Sequence, residues 1–198
     1  MSRKTESRES SDIIKNAICN LIKVNEIELE QLSLIADVRF LERGDTFLAY
    51  GQIARYICII KEGTFRIHRK RANKDITYGF LSEGNVIVPS ESLFSQEPSL
   101  YTIEALTSSQ CICFSYDKLL ELSKSIESAN RLIISFFKSS LLVQQAILEP
   151  LFESHAKERY IRFCEMFPEV ASKVNISHIA SFLKMTPETL SRLRSGKY

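Results

Sequence analysis

The residues with the clearest chemistry lie between Ile176 and Tyr198, at the C-terminal end of the sequence. There, Arg192 can donate two parallel N–H groups to O6 and N7 of guanine, and Glu188 can accept a hydrogen bond from N4 of cytosine. The hydroxyl and cationic side chains around them suit phosphate oxygens. The expected nucleic-acid contacts are Ser177, Lys184, Thr186, Glu188, Thr189, Ser191, Arg192, Arg194 and Lys197.

The apolar spacing of this segment predicts two short helices that pack against each other. We expect Ser177 to cap the first helix and Thr186 to cap the second, with Pro187 in the first turn, where its missing N–H costs nothing. Lys184 falls in the turn, where a left-handed backbone costs a lysine about 1 kcal/mol. The inward positions are Ile179, Leu183, Met185, Leu190 and Leu193, which leaves Glu188, Ser191, Arg192 and Ser195 facing outward.

The charge distribution favours the same end of the chain. The sequence has a net charge of +2, but residues 1–154 carry −2 and residues 155–198 carry +4. A basic segment attracts the phosphate backbone of nucleic acids regardless of base sequence. The surplus alone is weak evidence, because a basic segment is often solvated surface.

Upstream, the pattern changes from helical to β-rich. Residues 1–11 are polar and predicted to be disordered, and helical spacing from Asp12 to Ala36 predicts two short helices, the second capped by Asn25. Eight short strands with turns between them then predict a sandwich, jelly roll or barrel. They are Asp37–Leu41, Thr46–Ala49, Tyr56–Lys61, Thr64–Arg69, Ile76–Leu81, Val86–Val88, Leu100–Leu106 and Gln110–Ser115.

An uninterrupted helix is predicted from Ser128 to about Glu149, since neither glycine nor proline occurs there. Its heptad-like apolar line favours packing against a second copy of the same helix, although burial within a single chain would produce a similar pattern. Pro150 then breaks the helix, and Ser154 is expected to cap the next one. The expected dimer contacts are Ile134, Phe137, Leu141, Gln144 and Leu148.

The order of β-roll, long helix and helical pair resembles the cyclic-AMP receptor and fumarate-nitrate regulator superfamily of bacterial transcription factors. The most specific similarities are the turn motifs Phe40–Asp45, Ala49–Gly51, Tyr56–Gly63 and Leu81–Asn85. The resemblance implies an effector-binding roll, a dimerisation helix and a helix-turn-helix whose two copies enter successive major grooves of DNA. It covers nearly the whole chain.

The effector segment departs from the superfamily pattern. Members that bind cyclic nucleotides carry an arginine-serine pair for the phosphate, where this sequence has Leu100 and Tyr101. Burying a phosphate without a cation costs free energy, so cyclic AMP is not the expected effector. Three alternatives remain: the pocket binds an uncharged or apolar ligand, it is filled by the protein's own side chains, or it binds no effector. The expected pocket residues are Ser90, Glu91, Ser92, Ser99, Leu100 and Tyr101.

Two further departures concern the C-terminal region and cofactors. Residues Glu169 to Asn175 are too few for the β-hairpin wing that the resemblance implies. Only Cys19 lies near the N-terminus, which disfavours an iron–sulfur sensor, and neither His68, His155 nor His178 has a recognisable haem-ligand setting. We therefore expect no cofactor and no metal.

The five cysteines have no paired spacing, so free buried thiols are expected rather than a disulfide framework. A cupin-type enzyme would need clustered histidines with a carboxylate, and the roll contains only His68. No catalytic residues are therefore expected. The alternative to a regulator is a sensor or interaction protein of the same fold that has lost DNA binding.

Together these observations predict an α+β protein with a β-roll (jelly roll, or double-stranded β-helix) sensor domain, a long dimerisation helix and a small helix-turn-helix domain. The expected boundaries are residues 1–11, 12–125, 126–153 and 154–198. Expected partners are double-stranded DNA with a pseudo-palindromic operator and a second copy of the chain, with RNA polymerase as a further candidate. No apolar run reaches about 18 residues and the start of the sequence is polar, so no membrane and a cytoplasmic location are expected.

Overall fold

A computed structural model describes residues 2–72 and 74–196, with side chains from residue 10 onward. Helix α1 (Ser2–Leu21) corrects the prediction of a disordered start, since this segment contains no glycine or proline to interrupt a helix. Helix α2 (Glu26–Ser33) begins as predicted at Asn25, whose side-chain oxygen accepts a hydrogen bond from the amide of Glu28 at 2.9 Å.

The eight predicted strands are all present and form two antiparallel four-stranded sheets. The strand order is β1-β8-β3-β6 in the first sheet and β2-β7-β4-β5 in the second, so β5 is an edge strand. Turns at Gly44 and Gly63 have positive φ angles of 94° and 103°, a region that glycine enters without strain. The strands are Ala36–Leu41 (β1), Thr46–Leu48 (β2), Tyr56–Glu62 (β3), Thr64–Arg71 (β4), Lys74–Ser82 (β5), Val86–Ile87 (β6), Thr102–Ala105 (β7) and Ser109–Ser115 (β8).

The core between the sheets contains one feature that the sequence did not indicate. Cys58 on β3 and Cys113 on β8 are direct cross-strand partners and are joined as a disulfide, which corrects the expectation of free thiols at both positions. The reason is register, because strand pairing places side chains 55 residues apart in sequence opposite each other. Burial raises the pKa of the nearby Cys111 thiol to about 12, so this free cysteine stays protonated.

Three further helices, one between the strands and two directly after them, pack on the sheets together with α1. Helices α3 (Ser90–Ser95) and α4 (Tyr116–Ser123) are short, whereas α5 (Glu127–Leu148) is the long helix predicted from the sequence. Helix α5 packs on α1, α4, β5 and β6. The helical segment Glu127–Phe152 is long and apolar enough on average to cross a bilayer by length and composition, although it is not an uninterrupted apolar run. Core helices pass the same test, so this is weak evidence for a membrane.

The C-terminal region consists of four short helices after a 3-10 turn at Glu149–Phe152. Two predicted caps are corrected by one or two residues: α6 begins after His155 rather than Ser154, and α8 begins after Asn175 rather than Ser177. Asn175 is the cap because its side-chain oxygen accepts from the amide of Ser177 at 3.0 Å. The helices are Ala156–Met166 (α6), Pro168–Lys173 (α7), Ile176–Phe182 (α8) and Pro187–Arg194 (α9).

The C-terminal helices are docked on the outer face of the second sheet. Phe80 of β5 packs against Phe163 of α6 and Phe182 of α8, with ring centroids 6.1 and 5.6 Å apart, and all three side chains are buried. Helix α8 makes its main contact outside the C-terminal region with β5. One shared apolar cluster therefore fixes the position of these helices relative to the roll.

Candidate nucleic-acid interface and effector cavity

Helix α9 exposes the polar face that the sequence predicts. Its N-cap is Thr186, whose hydroxyl accepts a hydrogen bond from the amide of Thr189 at 3.2 Å, and Pro187 stands in the first turn. Leu190 is fully buried and Leu193 is half-buried, so the opposite side of the helix faces solvent. The exposed residues on that side are Glu188, Ser191, Arg192 and Ser195.

Glu188 is held in its charged form by the start of the helix. The pKa of Glu188 is lowered from its ordinary value, first by its own backbone N–H, then by the nearby Thr186 hydroxyl and by the positive charge of Arg192. An ionised carboxylate only accepts hydrogen bonds, which is what contact with cytosine N4 requires. The guanidinium of Arg192 makes no hydrogen bond to another described residue, and Arg192 is exposed.

The other predicted contact residues differ in whether their side chains are exposed or are already hydrogen-bonded within the protein. Lys184 is exposed and has the expected left-handed backbone, with φ of 54°. Ser177 is exposed at the start of α8, where its hydroxyl donates to Asn175. Arg194, by contrast, donates to the carbonyl of Ala171 at 2.9 Å, so it joins α9 to α7 rather than pointing freely outward. Lys197 lies outside the described residues.

Helix α7 occupies the stretch in which a wing would lie. The segment between α6 and α8 was predicted to be too short for a β-hairpin, and its residues from Pro168 to Lys173 are helical. Any contact from this part of the protein to the phosphate backbone of a nucleic acid would therefore come from α7 and not from a β-hairpin.

Helix α5 presents an exposed apolar line along its length. Ile134, Leu141 and Leu148 follow one another at seven-residue spacing and are 65%, 66% and 50% exposed. Gln144 is exposed beside this line, and its amide donates to the hydroxyl of Ser140 at 3.2 Å. Phe137 differs from the others, since its ring packs on Phe94 at 5.1 Å within the chain.

A cavity of about 350 Å³ lies between the roll and α5. Five of the six predicted pocket residues line it, and Leu100 does not. The contribution of α5 could not be predicted from the sequence, because the distance between α5 and the roll depends on packing rather than on local pattern. The lining comprises Ile67, Tyr78, Leu81, Val86, Ile87, Val88, Pro89, Ser90, Glu91, Ser92, Ser99, Tyr101, Ile103, Ser140, Val143, Gln144, Ile147 and Leu148.

The polar groups of this cavity are a carboxylate, hydroxyls and an amide, with no lysine, arginine or histidine among its lining residues. The rings of Tyr78 and Tyr101 meet edge to face, with centroids 4.8 Å apart. Burial, followed by the nearby Tyr78 and Glu91, raises the pKa of Tyr101, so its phenol stays protonated and can donate a hydrogen bond. The cavity therefore suits a ligand without negative charge.

Comparisons with known proteins agree with this architecture. Residues 38–125 match the cyclic nucleotide-binding domain family. The order of roll, long helix and C-terminal helices is shared with solved structures of regulators, which confirms in fold the resemblance seen in the sequence. No curated protein is significantly similar to the chain in sequence.

Several solved structures share the fold at low identity. FixK2 from Bradyrhizobium japonicum is 18% identical with a TM-score of 0.66, over 82% of this chain and 84% of that chain. CLP from Xanthomonas campestris, described as a c-di-GMP responsive global regulator, is 13% identical with a TM-score of 0.68, over 87% and 91%. A CRP-family transcriptional regulator from Thermus thermophilus, TTHB099, is 17% identical with a TM-score of 0.63, over 80% and 83%.

Proposed function

We propose that this protein is a sequence-specific DNA-binding transcription regulator that acts as a homodimer in the cytoplasm. The observation that carries the proposal is the exposed outer face of α9, where Glu188, Ser191 and Arg192 project from a helix whose opposite side is buried against the rest of its domain. A capped helix with this face free is suited to the major groove, which is about 12 Å wide and admits an α-helix. The helices α8 and α9 then act as a helix-turn-helix.

The dimer follows from the exposed line on α5. Large apolar side chains at seven-residue spacing form the seam of two-stranded coiled coils, and burying them against a second copy removes them from water. Two copies of α9 would then contact half-sites about 34–36 Å apart on a pseudo-palindromic operator. RNA polymerase stays a predicted further partner.

The cavity supports an effector without a phosphate group. A cyclic nucleotide would bring its negative charge close to Glu91, and none of the lining residues supplies a compensating cation. The apolar walls, the two tyrosines and the carboxylate favour an uncharged or positively charged small molecule.

DNA binding is tested by comparing two arginine-to-alanine variants that each lose one positive charge, one on α9 and one on the roll. After genome-wide footprinting identifies a bound site, Arg192→Ala is expected to weaken binding to that site by about 1–3 kcal/mol, because a bidentate base contact is lost. Arg43→Ala removes the same charge from an exposed position on the roll and should leave affinity unchanged. Equal affinities for the wild type and Arg192→Ala at that site would contradict the role of Arg192. A wild type for which footprinting finds no bound site would favour the sensor protein that has lost DNA binding.

A further inference from the structure

A cluster of charged side chains is buried where the C-terminal helices meet the roll. On the outer face of β4, the side chain of Arg66 is only 5% exposed and donates to Asp75 at 3.0 and 3.1 Å and to Glu104 at 2.9 Å. His68, two residues further along the same strand, lies between the same two carboxylates. Its Nδ1 is 3.2 Å from Asp75 and its Nε2 is 3.4 Å from Glu104. One arginine, one histidine and two acids therefore share a single site.

Helix α8 closes this cluster from the other side. The hydroxyl of Ser181 accepts from the amide of Thr77 and donates to the carbonyl of Asp75, both at 3.1 Å. His178, one turn earlier on α8, contributes a second imidazole. Its Nδ1 is buried and has no hydrogen-bond partner among the described residues, as is also true of Arg66 Nε and of His68 Nδ1, which approaches Asp75 without hydrogen-bond geometry. The junction thus places two of the chain's three histidines in a poorly hydrated site.

Burial is the main factor that opposes the uptake of protons by these histidines. Burial lowers the pKa of His178, and the positive charge of Arg66 lowers it further, while Asp75 and Glu104 act in the opposite direction without prevailing. The pKa of His68 is lowered by the same causes in the same order. Asp75 and Glu104 stabilise protonated histidine less than their distances suggest, because both carboxylates already form ion pairs with Arg66.

Protons have a route to the cluster. A surface cleft on this face of the sheet is lined by Arg66, His68, Asp75 and Glu104, together with Gly44, Thr46, Tyr50, Lys70 and Thr102. The only further charged side chain among these lining residues is Lys70, and like Arg66 it disfavours a positive charge on His68. His68 can therefore titrate without global unfolding, and His178 lies next to it on the α8 side of the same cluster.

We propose that the junction between α8 and the outer face of β4, β5 and β7 is a protonation-sensitive latch: the C-terminal helices are held on the roll while His68 and His178 are neutral, and they are released when these histidines take up protons. The latch concerns the position of the helices and stands whether or not they bind DNA. It gives this fold a response to pH that is independent of any ligand in the cavity.

The direction follows from linkage. Release of α8 relieves the burial that is the first cause of the lowered pKa of both histidines, whereas Arg66, Asp75 and Glu104 stay beside His68 on the sheet. The released state therefore binds more protons, and the docked state is favoured at pH values above the ordinary pKa of about 6.5. Docking weakens as the pH falls below that value towards the lowered pKa. Between pH 7.5 and 5.5, each histidine can shift the docking equilibrium by up to about tenfold.

Amide hydrogen exchange on the full chain tests the latch. The Thr77 amide reports docking directly, since Ser181 is its hydrogen-bond partner. After correction for the intrinsic pH dependence of exchange, we expect peptides covering Lys74–Ser82 and Ile176–Phe182 to lose protection at least threefold between pH 7.5 and 5.5. The central strand β8 serves as an internal reference for global stability and should keep its protection.

Three variants complete the test. His68→Gln with His178→Gln should abolish the pH dependence, and His178→Lys should lower protection at both pH values. His155→Gln is the matched control, because His155 is exposed and outside the junction, so its pH dependence should equal that of the wild type. A wild-type junction whose protection is the same at both pH values would overturn the latch, as would a pH dependence that survives in the double glutamine variant.

Discussion

Gly79 of β5 and Ile147 of α5 are in direct contact, with no room for another carbon between them. A Cβ added at Gly79 would lie 2.9 Å from Cδ1 of Ile147, closer than real Cβ contacts allow. Ile147 also lines the cavity. The same strand carries Tyr78 and Leu81 towards the cavity and Thr77 and Phe80 towards the C-terminal helices. Strand β5 therefore connects the roll, the long helix and the C-terminal domain.

Gly79→Ala is expected to destabilise the protein by about 1–3 kcal/mol, because the added methyl group overpacks the contact with α5. Ile147→Val removes the nearest methyl group, so the double variant should recover part of the loss, measured as a coupling energy in urea denaturation. Gly84→Ala is the control, since nothing lies within 4 Å of its added Cβ and its cost comes from a φ of 81° alone. Ile147→Val should not rescue it, and equal rescue of both alanine variants would contradict the proposed contact.

Ser181→Ala is expected to cost about 1–3 kcal/mol, since it leaves the buried Thr77 amide without its acceptor. Exchange of that amide should accelerate more than exchange in β8. Ser191→Ala, on the exposed face of α9, should change neither quantity. Unchanged Thr77 exchange in the Ser181 variant would mean that another group satisfies the amide.

The features of α9 could be predicted from the sequence, whereas the contacts at the junction of α8 with the roll could not. Thr186, Pro187 and the exposed Arg192 could be predicted, because caps and amphipathic faces depend on residues within one or two turns. The Cys58–Cys113 pair and the contact of Ser181 with Thr77 depend on strand register and on domain docking, which join residues 55 and 104 positions apart. Leu100 was wrongly placed in the pocket because the predicted strand began at Leu100, whereas β7 begins at Thr102 and Leu100 lies in the bend before it.

Phe182→Ala is expected to destabilise the protein by about 3–5 kcal/mol, because it removes a buried ring from the cluster with Phe80 and Phe163. Phe40→Ala removes the same side chain from a position that is 74% exposed, and its effect should stay within about 0.5 kcal/mol. Urea denaturation compares the two. A small loss for Phe182→Ala would mean that the C-terminal helices dock only weakly.

Leu141→Glu is expected to convert the dimer into a monomer, since it places a charge in the middle of the exposed apolar line of α5. Ile27→Glu introduces the same charge at a residue that is 77% exposed on α2 and should leave the dimer intact. Light scattering after size-exclusion chromatography measures the mass of each variant. A monomeric wild type, or a dimeric Leu141→Glu, would contradict the interface.

Cyclic AMP is expected to stabilise the protein no more than adenosine does at the same concentration. The two ligands share a base and a ribose, so a difference between their thermal shifts isolates the cyclic phosphate. With Glu91 in the cavity lining and no cationic side chain beside it, the phosphate would lose its hydration without gaining a partner. A bound ligand stabilises the folded state in proportion to the logarithm of its concentration over Kd, so even moderate affinity would be visible at micromolar concentrations. A larger thermal shift with cyclic AMP than with adenosine would contradict this prediction and would mean that a cationic side chain outside the cavity lining reaches the phosphate. Arg69, which lies near Tyr101, would then be the first residue to replace by alanine.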